Sequence, residues 1–280
     1  MSLLPSTTET LFAIGAGPEV VGVTFECDFP PEARTRTVVS TSAMPEGLTP
    51  AEIDAYVAGA VARGEDLHHL AADALAGLGA DLVVTQDLCA VCAIDVSAVD
   101  DALAHLGCAA EVLTVDPHTL EEVLSSILLL GRATGRSAEA AALVASLRSR
   151  LAAVRARVAG LPRPRVVLLE WTDPPYAPGH WIPEMVEAAG GEPLLGNPGG
   201  RSGPITWEAV HDAAPDVVVV APCGYHLAGA RTLADGLVSS GRLPAGVPVH
   251  AVDADAHWVR PGPRLVDGVE ELAALLHPTG

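Results

Sequence analysis

Two stretches of the chain carry the same pattern of residues, and this repetition limits the possible folds more than any other feature. The run Asp81-Leu-Val-Val-Thr follows an Ala/Leu-rich helical pattern, and the run Asp216-Val-Val-Val-Val follows the helical pattern of residues 207–214. Each opening Asp comes eight positions after another acidic residue, Asp73 in one case and Glu208 in the other. Short β-branched runs that alternate with helical patterns indicate parallel β-α-β units, so we predict two α/β lobes related as pseudo-repeats.

Other segments extend the same alternation. Further strands are predicted at residues 20–24, 111–115, 166–170 and 249–252. Residues 119–159 carry no strand pattern, and from Ser137 onward Ala, Leu and Arg recur at helical spacing. We therefore predict two Rossmann-like lobes with parallel sheets, joined by a long rigid helix. The predicted divisions are an N-terminal lobe, a helical connector and a C-terminal lobe, at residues 1–116, 117–160 and 161–280.

Charge and hydrophobicity exclude several classes of partner. The 280 residues carry a formal net charge of −19, which would repel a nucleic acid backbone. No apolar run approaches the roughly 20 residues that a membrane-spanning helix needs. The start MSLLPSTTET lacks the basic and apolar regions of a secretory signal, so the chain as written is expected to be cytoplasmic. Residues 2–4 resemble the end of a strand, and a start further upstream would instead favour an extracytoplasmic protein.

The loops after the predicted strands hold most of the candidate site residues. Ligands of parallel sheets bind beyond the carboxyl ends of the strands. The five loops concerned contain four of the five Cys and three of the four Trp, and they are residues 24–31, 86–93, 170–183, 221–226 and 253–263. We therefore predict a small-molecule site in a cleft between the lobes. The candidate ligand contacts are Phe25, Glu26, Asp87, Trp171, Tyr176, His180, Trp181, Tyr225, His257, Trp258 and Arg260.

The loop at residues 170–183 has the most unusual composition, with two Trp, one Tyr, one His and four Pro. One interpretation is a rigid loop on which aromatic side chains pack. The other is an aromatic wall against a large planar ligand, with His180 as a ligand or hydrogen-bond donor. In that case His257 and Trp258 would form the facing wall.

The cysteines allow three interpretations. The spacing of Cys89 and Cys92 lets both sulfurs face one point, as metal sites and thiol–disulfide sites require. The alternative is a pair of buried core thiols. Cys27 and Cys223 lie in equivalent loops, so facing lobes would bring four thiols together, able to hold zinc or an iron–sulfur cluster. Cys108 is expected on the opposite side of its sheet, as inert core.

Familiar catalytic motifs are missing from the sequence, including a Ser-His-Asp order, an HExxH helix and a Walker loop. An enzyme whose bound metal or cluster performs redox or lyase chemistry is a further alternative. The glycine-rich run at residues 196–203 is expected to be a flexible surface loop. The run Ser6-Thr-Thr-Glu9 predicts a capping box at the start of the first helix.

Six segments resemble helical-backbone (class III) substrate-binding proteins for iron chelates and cobalamin, and they are Ser2–Glu9, Gly17–Val23, Cys27–Pro31, Asp173–Tyr176, Glu187–Gly191 and Arg260–Arg264. The resemblance runs through essentially the whole chain and is strongest to the cobalamin-binding branch. It implies a non-enzymatic protein that captures a cobalamin-like corrinoid or a metal chelate for an ABC transporter. It also implies that Asp73 and Glu208 dock on arginines of the transporter permease. The chain differs from usual members in lacking a lipobox Cys at its start, and in carrying cysteine loops where family aromatics stack on cobalamin.

Overall fold

The computed structural model describes residues 1–71, 77–86 and 110–278. The chain separates into two compact units, of which the first comprises residues 1–117 and 124–144 and the second residues 118–123 and 145–280. Each unit contains a parallel sheet together with helices, which confirms the predicted α/β fold class.

The helices of the described residues are α1 (Pro5–Ala13), α2 (Pro50–Arg63), α3 (Leu120–Ala133), α4 (Ser137–Val158), α5 (Ile182–Ala188), α6 (Trp207–Asp212), α7 (Leu227–Ser239), α8 (Ala254–His257) and α9 (Leu265–Leu276). Within these ranges, no helix combines the length and the apolar character needed to cross a membrane.

The strands of the described residues are β1 (Gly22–Val23), β2 (Thr37–Val38), β3 (Ser40–Ser42), β4 (His68–Leu70), β5 (Leu82–Thr85), β6 (Glu111–Thr114), β7 (Arg165–Leu169), β8 (Trp171–Thr172), β9 (Pro175–Ala177), β10 (Glu192–Leu194), β11 (Gly203–Pro204), β12 (Val217–Val220) and β13 (Val249–Ala251). Six of them overlap the strands predicted from sequence, namely β1, β5, β6, β7, β12 and β13.

The first unit contains a parallel sheet whose two halves are joined by Ser2. β1 pairs with β2 in one half, and β5 pairs with β6 in the other. Ser2 forms parallel bridges to Val23 on one side and to Val84 on the other. The segment around Ser2 therefore lies between β1 and β5, and its neighbours Met1 and Leu3 belong to the apolar core of this unit.

The second unit contains a four-stranded parallel sheet in the order β10, β7, β12, β13. All four residues of β12 are buried, because β12 is flanked by strands on both edges and packs into the apolar core of the unit. After β7 the chain forms a smaller antiparallel sheet in the order β11, β9, β8. This small sheet carries the aromatic loop predicted from composition.

The first helix begins earlier than predicted, so the proposed capping box is wrong. α1 starts at Pro5 after Leu4, and no side chain caps it. Proline suits the first helical position because its backbone angle is already helical. The predicted box therefore falls inside the helix, where Glu9 is buried. A capping box does form at α2, where Thr49 and Glu52 exchange both hydrogen bonds.

The predicted helix from Ser137 onward is α4, which has 22 residues. The preceding part of the predicted connector forms a separate helix, α3. Between them, Gly135 has a φ of 68°. Glycine takes this left-handed conformation without steric cost, and it commonly ends a helix. The structure therefore has two helices, α3 and α4, where the sequence predicts one long helix.

Candidate functional site

Two aromatic rings meet where the central strands of the second unit end. β7 and β12 are neighbours in parallel register, with Leu169 opposite Val220. Trp171 and Tyr225 follow these strands, and their ring centroids lie 5.8 Å apart with the planes tilted by 58°. Both side chains are half-buried. The structure therefore brings together two of the predicted ligand contacts at the carboxyl edge of the sheet, where ligands of parallel sheets bind.

A tight hairpin holds the first of these rings. Trp171 pairs with Tyr176 across the β8–β9 turn, which contains a cis peptide bond between Asp173 and Pro174. The indole N–H of Trp171 donates to the carbonyl of Asp173 at 3.2 Å. The Glu170 N–H donates to the Tyr176 carbonyl at 3.1 Å, so the hairpin is tied to the end of β7. Tyr176, also a predicted contact, is half-buried beside Trp171.

The glycine-rich segment 196–203 lies at the surface, as predicted, and hydrogen bonds tie it to the residues that follow this hairpin. The His180 N–H donates to the Gly200 carbonyl at 2.6 Å, and the Gly199 N–H donates to the His180 carbonyl at 3.0 Å. A side chain at Gly179 would collide with the backbone that follows Gly200. The glycines therefore allow two backbone segments to approach more closely than side chains would permit.

His180 has a φ of 51°, an uncommon conformation for a residue with a side chain. Its ring lies 5.8 Å from the ring of His118 and 5.4 Å from that of Trp181, measured between centroids. His180 itself is half-buried. Such backbone conformations persist where the surroundings fix them, and here the hydrogen bonds to the glycine-rich segment do so.

Two predicted aromatic contacts lie in the core instead of at the surface. Trp181 is 4% exposed and Trp258 is fully buried. The indole N–H of Trp181 donates to the Trp258 carbonyl at 2.8 Å, which joins the start of α5 to the end of α8. His257 turns towards α9, where its Nδ1 lies 3.4 Å from Oε2 of Glu271. The hydrogen bond with this carboxylate raises the pKa of His257, although burial opposes the effect.

The turn after β12 is hydrogen-bonded to a side chain of α8. Asp255 accepts a hydrogen bond from the Gly224 N–H at 2.9 Å, and Nη2 of Arg260 lies 3.3 Å from its other carboxylate oxygen. The side chains of Asp255 and Arg260 are only 13% and 12% exposed. Arg260 was predicted as a ligand contact, and the structure directs its guanidinium at Asp255. Sequence reasoning missed Asp255, although the signal was an acidic residue in a strand-end loop.

A second contact joins the same two segments. Nδ1 of His226 lies 3.0 Å from Oδ1 of Asp253, which also accepts from the Ala256 N–H at 3.0 Å and so caps α8. Burial would raise the pKa of Asp253, but these hydrogen bonds and one from the Leu227 N–H outweigh it and hold the pKa below its usual value. Burial alone raises the pKa of the Tyr225 phenol.

In the first unit, Phe25 is the predicted contact with the most exposed ring. It is 42% exposed, and its ring centroid lies 6.0 Å from that of His68. Phe25 borders an open groove of about 540 Å³, whose lining also includes Met44, Leu48 and Ile53. Glu26, the next predicted contact, is half-buried. This groove offers an apolar surface within the first unit.

Cys27 lies inside a chain of hydroxyl groups. Its side chain is buried, and its Sγ lies 3.1 Å from the hydroxyl oxygen of Thr8 and 3.2 Å from that of Thr24. The Thr8 hydroxyl donates to Oγ of Ser2, which lies 2.6 Å from the hydroxyl oxygen of Thr7. The buried polar atoms of this cluster thus satisfy one another.

The four-thiol site stays a prediction. Cys223 is half-buried in the second unit, whereas Asp73, Asp87, Cys89, Cys92 and Cys108 lie outside the described residues. In the part of the chain that is described, three or more His, Cys, Asp or Glu side chains do not gather as metal ligands. The zinc and iron–sulfur alternatives therefore gain no support from the described residues.

Glu208, the predicted docking residue of the second unit, lies on an exposed surface. It occupies the first turn of α6, which begins after the capping residue Thr206. Hydrogen bonds from its own backbone N–H and from the Thr206 hydroxyl lower the pKa of this carboxylate. It is therefore an exposed anion at neutral pH.

The sequence matches known binding proteins along most of its length. A family model described as "Periplasmic binding protein" matches residues 1–247. An uncharacterized ABC transporter substrate-binding lipoprotein of Bacillus subtilis is 28% identical, over 99% of this chain and 79% of its own length. A cobalamin-binding protein of Halobacterium salinarum is 27% identical, over 100% of this chain and 69% of its own length.

The fold matches a solved structure equally broadly. The periplasmic heme-binding protein HutB of Vibrio cholerae superimposes with a TM-score of 0.72, covering 99% of this chain and 98% of that one. The two sequences are 18% identical, so this likeness concerns the fold.

Proposed function

The chain belongs to the periplasmic binding protein family, and from this membership we propose that it captures a corrinoid of the cobalamin type for an ABC transporter. Proteins of this family bind small molecules and deliver them to ABC transporter permeases, and they are not enzymes. Family members work outside the cytoplasm, and we propose the same location for this chain.

The observation that carries the ligand proposal is the ring pair of Trp171 and Tyr225. The pair lies at the carboxyl edge of a parallel sheet, with Tyr176 adjacent to it. A corrin ring is large and nearly planar, and half-buried aromatic rings offer it apolar contact area without a change in their own conformation. A small hydrophilic solute would gain much less from such a surface.

Charge supports a ligand of this kind more than an anionic one. The chain carries a formal net charge of −19, and Arg260 is engaged by Asp255. An anionic siderophore would need a basic side chain directed at it, whereas a corrinoid relies mainly on contact area. The Halobacterium relative, named as a cobalamin-binding protein, agrees with this choice.

Calorimetric titration with cyanocobalamin, cobinamide and hemin tests the proposal. We expect one corrinoid per chain, and a Kd raised by roughly tenfold or more, about 1.4 kcal/mol, in Trp171→Ala and Tyr225→Ala. Trp207→Phe is the matched control, because Trp207 packs against the core of its unit and lies under Arg242. Binding of hemin alone would replace the corrinoid with a porphyrin, and binding of neither class would overturn the proposal.

We further propose that Glu208 docks on the transporter permease, with Asp73 as its counterpart. The support for Glu208 is its exposed carboxylate and lowered pKa. Asp73 is proposed from its equivalent position ahead of the first repeated strand.

A further inference from the structure

The turn that carries Tyr225 is held both by a hydrogen bond of its own and by contacts from other segments. The Tyr225 N–H donates to the Pro222 carbonyl at 3.1 Å, which closes a four-residue β-turn. Its third residue, Gly224, has a φ of 81°, as in type II turns. Type I and type II turns differ by a flip of the central peptide, here the one between Cys223 and Gly224. Glycine at the third position already favours type II, and a group that accepts from the N–H of the central peptide stabilises that form further.

Asp255 binds this N–H. Its Oδ1 accepts from the Gly224 N–H at 2.9 Å, and its own backbone N–H lies 3.4 Å from the Tyr225 carbonyl oxygen. The Asp255 side chain thus contacts the turn on one side of Tyr225, and its main chain contacts the other. A flipped central peptide would present a carbonyl oxygen to the carboxylate, which is repulsive.

Arg260 fixes the carboxylate in turn. Its Nη2 lies 3.3 Å from Oδ2 of Asp255, and both side chains are almost fully covered by protein. A hydrogen-bonded ion pair with this little solvent holds its geometry more firmly than a surface pair. Arg260 therefore orients the Asp255 carboxylate, and that carboxylate stabilises the turn. The turn in turn sets the position of the Tyr225 ring that faces Trp171.

We propose that Asp255 is a positioning residue, which locks the Pro222–Tyr225 turn so that Tyr225 faces Trp171 before any ligand arrives. Its contribution to ligand affinity rests on the proposed corrinoid-binding function, whereas its effect on the ring pair does not. Asp255 acts through Tyr225 and makes no ligand contact of its own. Preorganised contacts of this kind raise affinity by reducing the ordering cost of binding.

Fluorine NMR of the ligand-free protein labelled with 5-fluorotryptophan tests the positioning directly. The Trp171 resonance is assigned with Trp171→Phe, and Tyr225→Ala shows how it shifts when the facing ring is lost. We expect Asp255→Ala to shift the resonance in the same direction. Asp255→Asn, whose amide oxygen can still accept from Gly224 but whose NH2 group cannot accept from Arg260, should restore part of the original position. Asp235→Ala, which removes an exposed Asp on α7, is the control and should leave the resonance unchanged.

Titration with cyanocobalamin tests the consequence for binding. Asp255→Ala should raise the Kd about tenfold in the parent protein, but less than about twofold in a Tyr225→Ala background, since the residue it positions is then gone. Equal effects in both backgrounds, or an unshifted Trp171 resonance in Asp255→Ala, would overturn the proposal. If Asp255→Ala does not fold, Arg260→Gln leaves Asp255 in place with one anchor fewer, and it should shift the resonance part of the way. Absence of corrinoid binding by the parent protein would reject the proposed function, and the NMR result would still decide the positioning role.

Discussion

The thiol of Cys27 lies 3.1 Å from the hydroxyl oxygen of Thr8, which joins the loop after β1 to the first turn of α1. We expect Cys27→Ser to keep this contact and to change the free energy of unfolding by less than about 1 kcal/mol. Cys27→Val should cost about 1–3 kcal/mol, because it leaves the Thr8 and Thr24 hydroxyls without that partner in a buried site. Urea denaturation of the two variants measures the difference. Equal stability of both would show that the hydroxyl chain contributes nothing through Cys27.

Arg150 joins α4 to α9 through the carboxylates of Asp267 and Glu270. We expect Arg150→Ala to reduce the free energy of unfolding by about 1 kcal/mol, since a shared guanidinium is stronger than an ordinary surface pair but solvent still screens it. Arg148→Ala is the matched control. Its pair with Glu121 is more exposed, so its loss should lie within experimental error.

The same ion pair predicts a pH dependence. The hydrogen bond from Arg150 lowers the pKa of Glu270 below its ordinary value of 4.5, although burial opposes the effect. A lowered pKa stabilises the fold above pH 4.5, and this contribution is lost as the pH falls through the folded-state value. The stability difference between the parent protein and Glu270→Gln should therefore shrink between pH 6 and about pH 3. A difference that grows with acidity would contradict the assignment.

Gly179 is expected to tolerate no side chain, because a Cβ there would meet the backbone of the glycine-rich segment. Gly179→Ala should lower the free energy of unfolding by about 1–3 kcal/mol and should also weaken ligand binding, since the hairpin that carries Trp171 would move. Gly236→Ala is the control within α7, where a Cβ meets open space. It should stabilise the protein by about 0.5–1 kcal/mol. Thermal and chemical denaturation compare the two variants. Equal stabilities would show that the segment 196–203 can move to accommodate a side chain at position 179.

Charge reversal tests the docking proposal. The double variant Asp73→Arg, Glu208→Arg should lose complex formation with the transporter while its Kd for cyanocobalamin stays unchanged, because docking depends on the carboxylates. The control is Glu139→Arg with Asp235→Arg, which changes the net charge equally and replaces two exposed carboxylates elsewhere in the chain. Pull-down with the purified transporter reads out the complex. Retention by the docking variant, or equal loss in the control, would remove this role from the two residues.

The sequence predicted the strands well where burial of a β-branched run determines the structure. The Val run of β12 and the Leu-Val-Val-Thr run of β5 indicate buried parallel strands, and both strands are present. The start of α1 was misplaced because Ser6 and Glu9 fit a capping pattern, while Pro5 determines where the helix begins. The break at Gly135 was missed because the longer segments before and after it, residues 120–133 and 138–158, are both rich in helix-forming residues.

The candidate site was predictable in position more than in detail. Strand-end loops identified Trp171 and Tyr225, which do meet. Composition could not separate them from Trp181 and Trp258, which lie in the core, because burial depends on packing between distant segments. Asp255 was missed for the same reason, since its role depends on a turn 31 residues away.

The central position of β12 affects how the protein behaves when it is partly unfolded. Its four consecutive valines are shielded on one edge by β13, which has only three residues. Detachment of this short strand would expose an uncharged β-branched segment that can pair with the same segment of another molecule. Heat or mild denaturant should therefore cause intermolecular aggregation before full unfolding. The amount of protein that aggregates during expression and storage should increase when β13 is destabilised.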